Sequence, residues 1–184
     1  DARCAISSLP GFYRNKDEDF PGMPYLKADP ELVRMWKGLF AEWKKPVYGL
    51  CLHGGSKLTG ASWRKLTPED FSPLFALDAI FVSLDYKGHL KHPKIKEFQW
   101  ATQCDDYDLT ASLIAALDGV IGVNTTAIHC ANGLGIPTHI LVPTKKQWRY
   151  EPSKDGTYVW SKTAKLYQQA KGESWRDVIK RVRL

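Results

Sequence analysis

No apolar run in this 184-residue chain reaches the roughly 18 residues that a bilayer-spanning helix needs, so no segment reads as integral to a membrane. The opening stretch, DARCAISSLPGFYRNKDEDF, has neither the basic start nor the apolar core of a secretory leader. It begins on Asp1 rather than Met, from which we expect further sequence ahead of it. The cysteines Cys4, Cys51, Cys104 and Cys130 contain no CxxC pair, which argues against a structural zinc site. A chain of this length builds a core without disulfides, so reduced thiols and a cytoplasmic location are expected. Long charge runs are also missing. The net charge is +6, yet the longest basic runs are the pairs Lys44-Lys45 and Lys145-Lys146. Such a surface suits an anionic partner, but with no basic arm or helix a merely solvated surface explains it equally well. A nucleic-acid partner therefore rests on net charge alone and is not the reading we favour. Neither GxxxxGK[ST] nor GxGxxG occurs, which removes the two commonest phosphate-loop signatures.

What is present is a globular composition, 43% hydrophobic and 25% charged. Residues 1–28 carry Pro10-Gly11, Pro21-Gly22 and Pro24 around the acids Asp17 to Asp19, punctuation that prevents a continuous helix or strand. We read them as a connector and residues 29–184 as one domain. Asp29 caps a first helix, Pro30 fits its first position, and Leu32, Val33, Trp36, Leu39, Phe40 and Trp43 form its apolar stripe up to Pro46. Short, nearly continuous apolar runs follow at 47–52, 79–84, 119–123 and 138–142, the form of strands buried on both faces. A further short strand is expected at 95–98. Thr67-Pro68-Glu69-Asp70 reads as a helix start, Asp108-Leu109-Thr110 as another running to Leu117, and Thr125 to Leu134 as a third, closed by Gly135. A last helix starts near Glu173. This alternation predicts an α/β fold: a Rossmann-like parallel sheet with helices on both faces. Ligands in such sheets bind at the carboxyl ends of the strands.

Two strand ends stand out. At Gly122-Val123-Asn124-Thr125-Thr126 a buried strand runs into a helix within two residues, so unpaired amides, a positive dipole end and two hydroxyls coincide. Phosphate would fit there; simple capping by Asn124 or Thr125 explains the same residues and, taken alone, better. Gly54-Gly55-Ser56-Lys57 follows the first strand, where glycines permit close backbone approach or simply a turn. Arg64 and Lys65 lie downstream as phosphate charge or as surface. The acids Asp105, Asp106 and Asp108 suit a helix start better than a cation. His129, on the inner end of its helix, is more simply a packed residue than a ligand. We assign no metal site and no catalytic residue from sequence.

Taken in order, several segments resemble the C-terminal, donor-binding half of a GT-B glycosyltransferase. More closely, they resemble the heptosyltransferase-like region at the end of bacterial tetratricopeptide-repeat proteins. The segments are SSLP (7–10), PYLKADP (24–30), SLDYKG (83–88), DLTASLIAALDGVIGVNTTAIHCANGLGIPTHILVP (108–143), QWRY (147–150), LYQQ (166–169) and SWRDVIKRV (174–182). Asn124 stands where the family has Asp, Asp85 where it has Gln, and Tyr150 at the last aromatic of its DWRW motif. The resemblance implies a nucleoside diphosphate sugar as donor substrate and no further cofactor. It implies a site of Asn124, Thr125, Thr126 and His129 at the signature helix, Arg64 as a phosphate contact, Gly55 and Ser56 on the same floor, and Asp85 toward the ribose. It also implies a partner: the N-terminal GT-B half, or a second copy of the chain, to complete the cleft. A nucleotide-sugar-binding scaffold without catalysis is the alternative.

Overall fold

The computed structural model describes residues 3–54, 60–88, 90–152 and 158–184. Six strands form one sheet: β1 (Val47–Cys51), β2 (Ile80–Ser83), β3 (Ile95–Lys96), β4 (Gly119–Val123), β5 (Thr138–Val142) and β6 (Ala164–Gln168). Their order is β3-β2-β1-β4-β5-β6 and every neighbouring pair is parallel. The winding reverses between β1 and β4, so their carboxyl ends open onto the crevice where doubly wound sheets bind ligands.

Alternation along each strand sends side chains to two cores. On one face Val47, Val82, Val120 and Ile140 pack with Trp36 and Phe40 of α2 (Pro30–Ala41), Leu113 and Ile114 of α4 (Tyr107–Ala115), and Ile128 and Ala131 of α5 (Thr126–Leu134). On the other, Leu50, Phe81, Ile121 and Leu141 pack with Leu66, Phe71 and Leu74 and with Trp175, Val178 and Ile179 of α6 (Trp175–Ile179). Two single-turn helices complete the set, α1 (Pro10–Tyr13) and α3 (Gln99–Thr102). Among the described residues no helix is long and apolar enough to cross a membrane.

The predicted helix at Thr67 starts as expected and then stops. The Asp70 carboxylate accepts from the Thr67 amide at 2.8 Å, but the result is a 3₁₀ turn, Pro68–Phe71, followed by a second at Leu74–Ala76. Pro73 has no N–H to continue a helix, which confines each piece to one turn. Asp106, not Asp108, caps α4, accepting from the Asp108 amide at 2.9 Å. The 95–98 strand shrinks to two residues. β6 was not foreseen: its pattern is half exposed throughout, as befits an edge strand, and offers little apolar contrast. Residues 24–26 lie across the carboxyl end of α5, where the Tyr25 and Leu26 amides both donate to the Gly133 carbonyl at 2.8 Å.

Candidate functional site

A cleft of about 660 Å³ opens at the carboxyl ends of β1, β2 and β4. Cys51, His53 and Gly54 line it after β1, Asp85, Tyr86 and Lys87 after β2, and Thr125, Thr126 and Ala127 at the β4–α5 junction. Thr102, Cys104, Tyr107 and Thr110 form the wall from α3 and α4.

The junction is built as a cap and as a donor array together. Thr125 is the N-cap, its hydroxyl accepting from the Ile128 amide at 3.4 Å. That leaves the Thr126 and Ala127 amides, the first two of a nine-residue helix, without intrahelical partners and at its positive end. The capping reading therefore holds, and it leaves these two amides for an acceptor outside the helix. Arg64, 6% exposed, reaches the same place: its Nη1 donates to the Asn124 carbonyl at 3.1 Å. Gly54 completes the contact. A Cβ there would lie 2.8 Å from the Asn124 carbonyl oxygen, 3.1 Å from Thr125 Cγ2 and 3.5 Å from Arg64 Nη1. The β1 loop, a buried guanidinium and the start of α5 are thus in direct contact, though 60 residues separate Arg64 from Asn124 in the chain. Burial pulls the Arg64 pKa below its ordinary value, Tyr150 opposing and Arg149 adding to the effect. An arginine nevertheless stays protonated.

Asp85 is buried in the cleft wall, with its backbone amide donating to Ser83 Oγ at 3.2 Å and its Oδ1 accepting from the Lys87 amide at 3.1 Å. That turn holds its carboxylate at the end of β2. Asn124 is 4% exposed; its Nδ2 donates to Gln147 Oε1 at 3.3 Å. His129 is not among the residues lining the cleft; it meets the loop after β5, where its Nε2 lies 3.1 Å from the Tyr150 hydroxyl. Burial and the nearby Arg149 lower its pKa, so the ring is neutral near pH 7. Gly55 and Ser56 lie outside the described residues.

Among the described residues this arrangement stabilises negative charge better than it activates a nucleophile. The buried one of the two thiols lining the cleft, Cys51, is pushed up to about 12 by burial, against the lowering effect of a hydrogen bond with Thr125 and with a further rise from Asp85, so it stays protonated. No group of three or more metal-ligating side chains gathers among the described residues. Sequence reasoning passed over Gln147 and Arg149 as site neighbours. Their only signal was the QWRY segment.

No family model matches the chain, and no curated protein matches it in sequence. Its backbone is similar to that of the Escherichia coli ADP-heptose LPS heptosyltransferase II, with a TM-score of 0.54 at 16% identity, over 92% of this chain and 54% of that one. A family 9 glycosyl transferase from Veillonella parvula is more distant, with a TM-score of 0.49 at 13% identity over 84% of this chain and 46% of the other. The chain spans about half the length of these structures. Its fold is α/β and Rossmann-like, that of one half of a GT-B glycosyltransferase.

Proposed function

We propose that this chain is the nucleotide-sugar-binding half of a glycosyltransferase, moving a sugar from a nucleoside diphosphate sugar to an acceptor. One observation supports the reading above the others. At the winding reversal of the sheet, the start of α5 and the buried Arg64 converge beside a cleft of about 660 Å³. Fixed amides and a desolvated guanidinium favour a diphosphate, and most of all the charge that gathers on it as the glycosidic bond breaks. Asp85 supplies a carboxylate at the end of β2, where ribose hydroxyls are held in dinucleotide sites of this topology. His129 supports the site through Tyr150 rather than by touching phosphate. In this reading residues 1–28 are the connector to a second GT-B domain, which carries the acceptor and the base. The alternative is a nucleotide-sugar-binding scaffold without catalysis.

A calorimetric screen of UDP-, GDP- and ADP-sugars tests the reading, with Thr126→Pro beside the wild type. Thr126 is the first residue of α5, where proline keeps the helix and removes one amide donor. Affinity should fall by about 1–3 kcal/mol, the value of a hydrogen bond to a charged group. Unchanged affinity in a folded variant would remove α5 from the site.

A further inference from the structure

The 3₁₀ turn Trp148–Tyr150 follows β5 and is tied at both ends to the β4–α5 unit. Gln147 accepts from Asn124, just before the cap, and Tyr150 meets His129, one turn into the helix. Arg149 lies between these two anchors. It is half buried, and its charge is felt by Arg64 and by His129. Glu151, the nearest carboxylate along the chain, is committed to Lys146 at 2.7 Å. Among the described residues Arg149 forms no ion pair. Its buried Nε–H has no hydrogen-bond partner, and the equally buried Asn124 Oδ1 has none either.

Arg64 bonds to the Asn124 carbonyl and the Arg149 loop to the Asn124 side chain, so two like charges are drawn to one segment, and each loses hydration on burial. An anion between them relieves both costs. One orphan donor and one orphan acceptor on loops joined by the Asn124–Gln147 bond suit a ligand that brings both oxygen acceptors and a hydroxyl, as a sugar phosphate does.

We propose that Arg149 is the second cation of the phosphate site, gripping one phosphate group of a diphosphate while Arg64 and the α5 amides hold the other. The assignment rests on the nucleotide-sugar reading above and adds to it a residue from the loop after β5. It also makes that loop a sensor of the ligand's charge: a diphosphate engages both arginines, whereas a single phosphate engages one.

Calorimetry with inorganic pyrophosphate and inorganic phosphate, at several ionic strengths, tests it on the intact chain. Arg149→Ala should weaken pyrophosphate tenfold or more, leave phosphate within about threefold, and flatten the salt dependence of pyrophosphate binding. Arg149→Lys should keep the salt dependence and recover only part of the affinity, because an ammonium lacks the guanidinium fork. Should Arg149→Ala fail to fold, Arg149→Gln removes the charge with less loss of volume, and the same results are expected. Wild-type pyrophosphate affinity in the charge-removing variant, alongside a loss in Arg64→Ala, would overturn the second cation and leave the nucleotide-sugar reading standing. Equal losses for phosphate and pyrophosphate would reduce Arg149 to a packing role and overturn it as well. A wild-type chain that binds neither pyrophosphate nor any of the three nucleotide sugars would remove both.

Discussion

Between Gly54 and the Asn124 carbonyl there is no room for a methyl group. A Cβ at 2.8 Å from that oxygen forces backbone, not a pliable side chain, to move. Gly54→Ala should therefore push the β1 loop away from the start of α5 and loosen Arg64 from the Asn124 carbonyl. Overpacking of this kind costs about 1–3 kcal/mol. A urea melt should show that loss, and calorimetry should show weaker binding of whichever nucleotide sugar the wild type takes. A variant as stable as wild type with intact affinity would mean that the contact yields freely. The glycine was visible in the sequence as a loop residue. Its partner was not, because no spacing rule links residue 54 to residue 124.

At the scale of elements, β5 and β6 carry a half-buried pair that strand patterning alone does not reveal. His139 is 6% exposed, and its Nδ1 lies 2.9 Å from the Tyr167 hydroxyl across the ladder. Burial, with Lys165 adding, holds its pKa down to about 4, below the ordinary histidine value of about 6.5. The sign follows. Above pH 6.5 both folded and unfolded chains carry this ring neutral, and its contribution to stability is complete. As pH falls from 6.5 toward 4, the unfolded chain takes up the proton first and stability drops; below 4 this contribution is spent. His129, depressed by its burial, adds in the same direction. Thermal melts between pH 7.5 and 4.5 should show the decline. His139→Gln, which keeps a partner for Tyr167 but does not titrate, should flatten it. Parallel wild-type and variant curves would show that the pair is not responsible.

In the reading proposed above, the cleft at the carboxyl ends of β1, β2 and β4 is one side of a two-domain site, and chemistry there needs the other side. Closure excludes water and aligns acceptor with donor. The chain should bind donor and yet transfer no sugar to hydroxyl acceptors. In the same reading binding should also survive excess chelator, since Asp106 caps α4 through the Asp108 amide and Arg64 brings positive charge to the β4–α5 junction. A transfer assay across donors and acceptors, paired with a chelator titration, checks both. Turnover abolished by His53→Ala or His129→Ala would make this chain an enzyme in its own right. Affinity lost to chelator and restored by magnesium would bring the acids at 105–108 into the site.

Local physics was enough for much of this protein. β4, α5 with its Thr125 cap and Gly135 stop, and β5 are all short-range consequences of burial, capping and glycine geometry, and the chain states them in one stretch, 119–142. The N-terminal cap and proline of α2 are of the same kind. Because adjacent parallel strands must be joined by crossovers, the same stretch also implied the sheet. What waited for tertiary structure was everything set by distance across the sheet. Only folding brings Arg64 to the carbonyl of Asn124, turns His129 toward Tyr150, places Arg149 beside them, and adds β6 as an edge strand too evenly exposed to read from its pattern. The reason is physical: a cap or a stripe is decided within a few residues, whereas a site is decided by which strand ends the winding order makes neighbours.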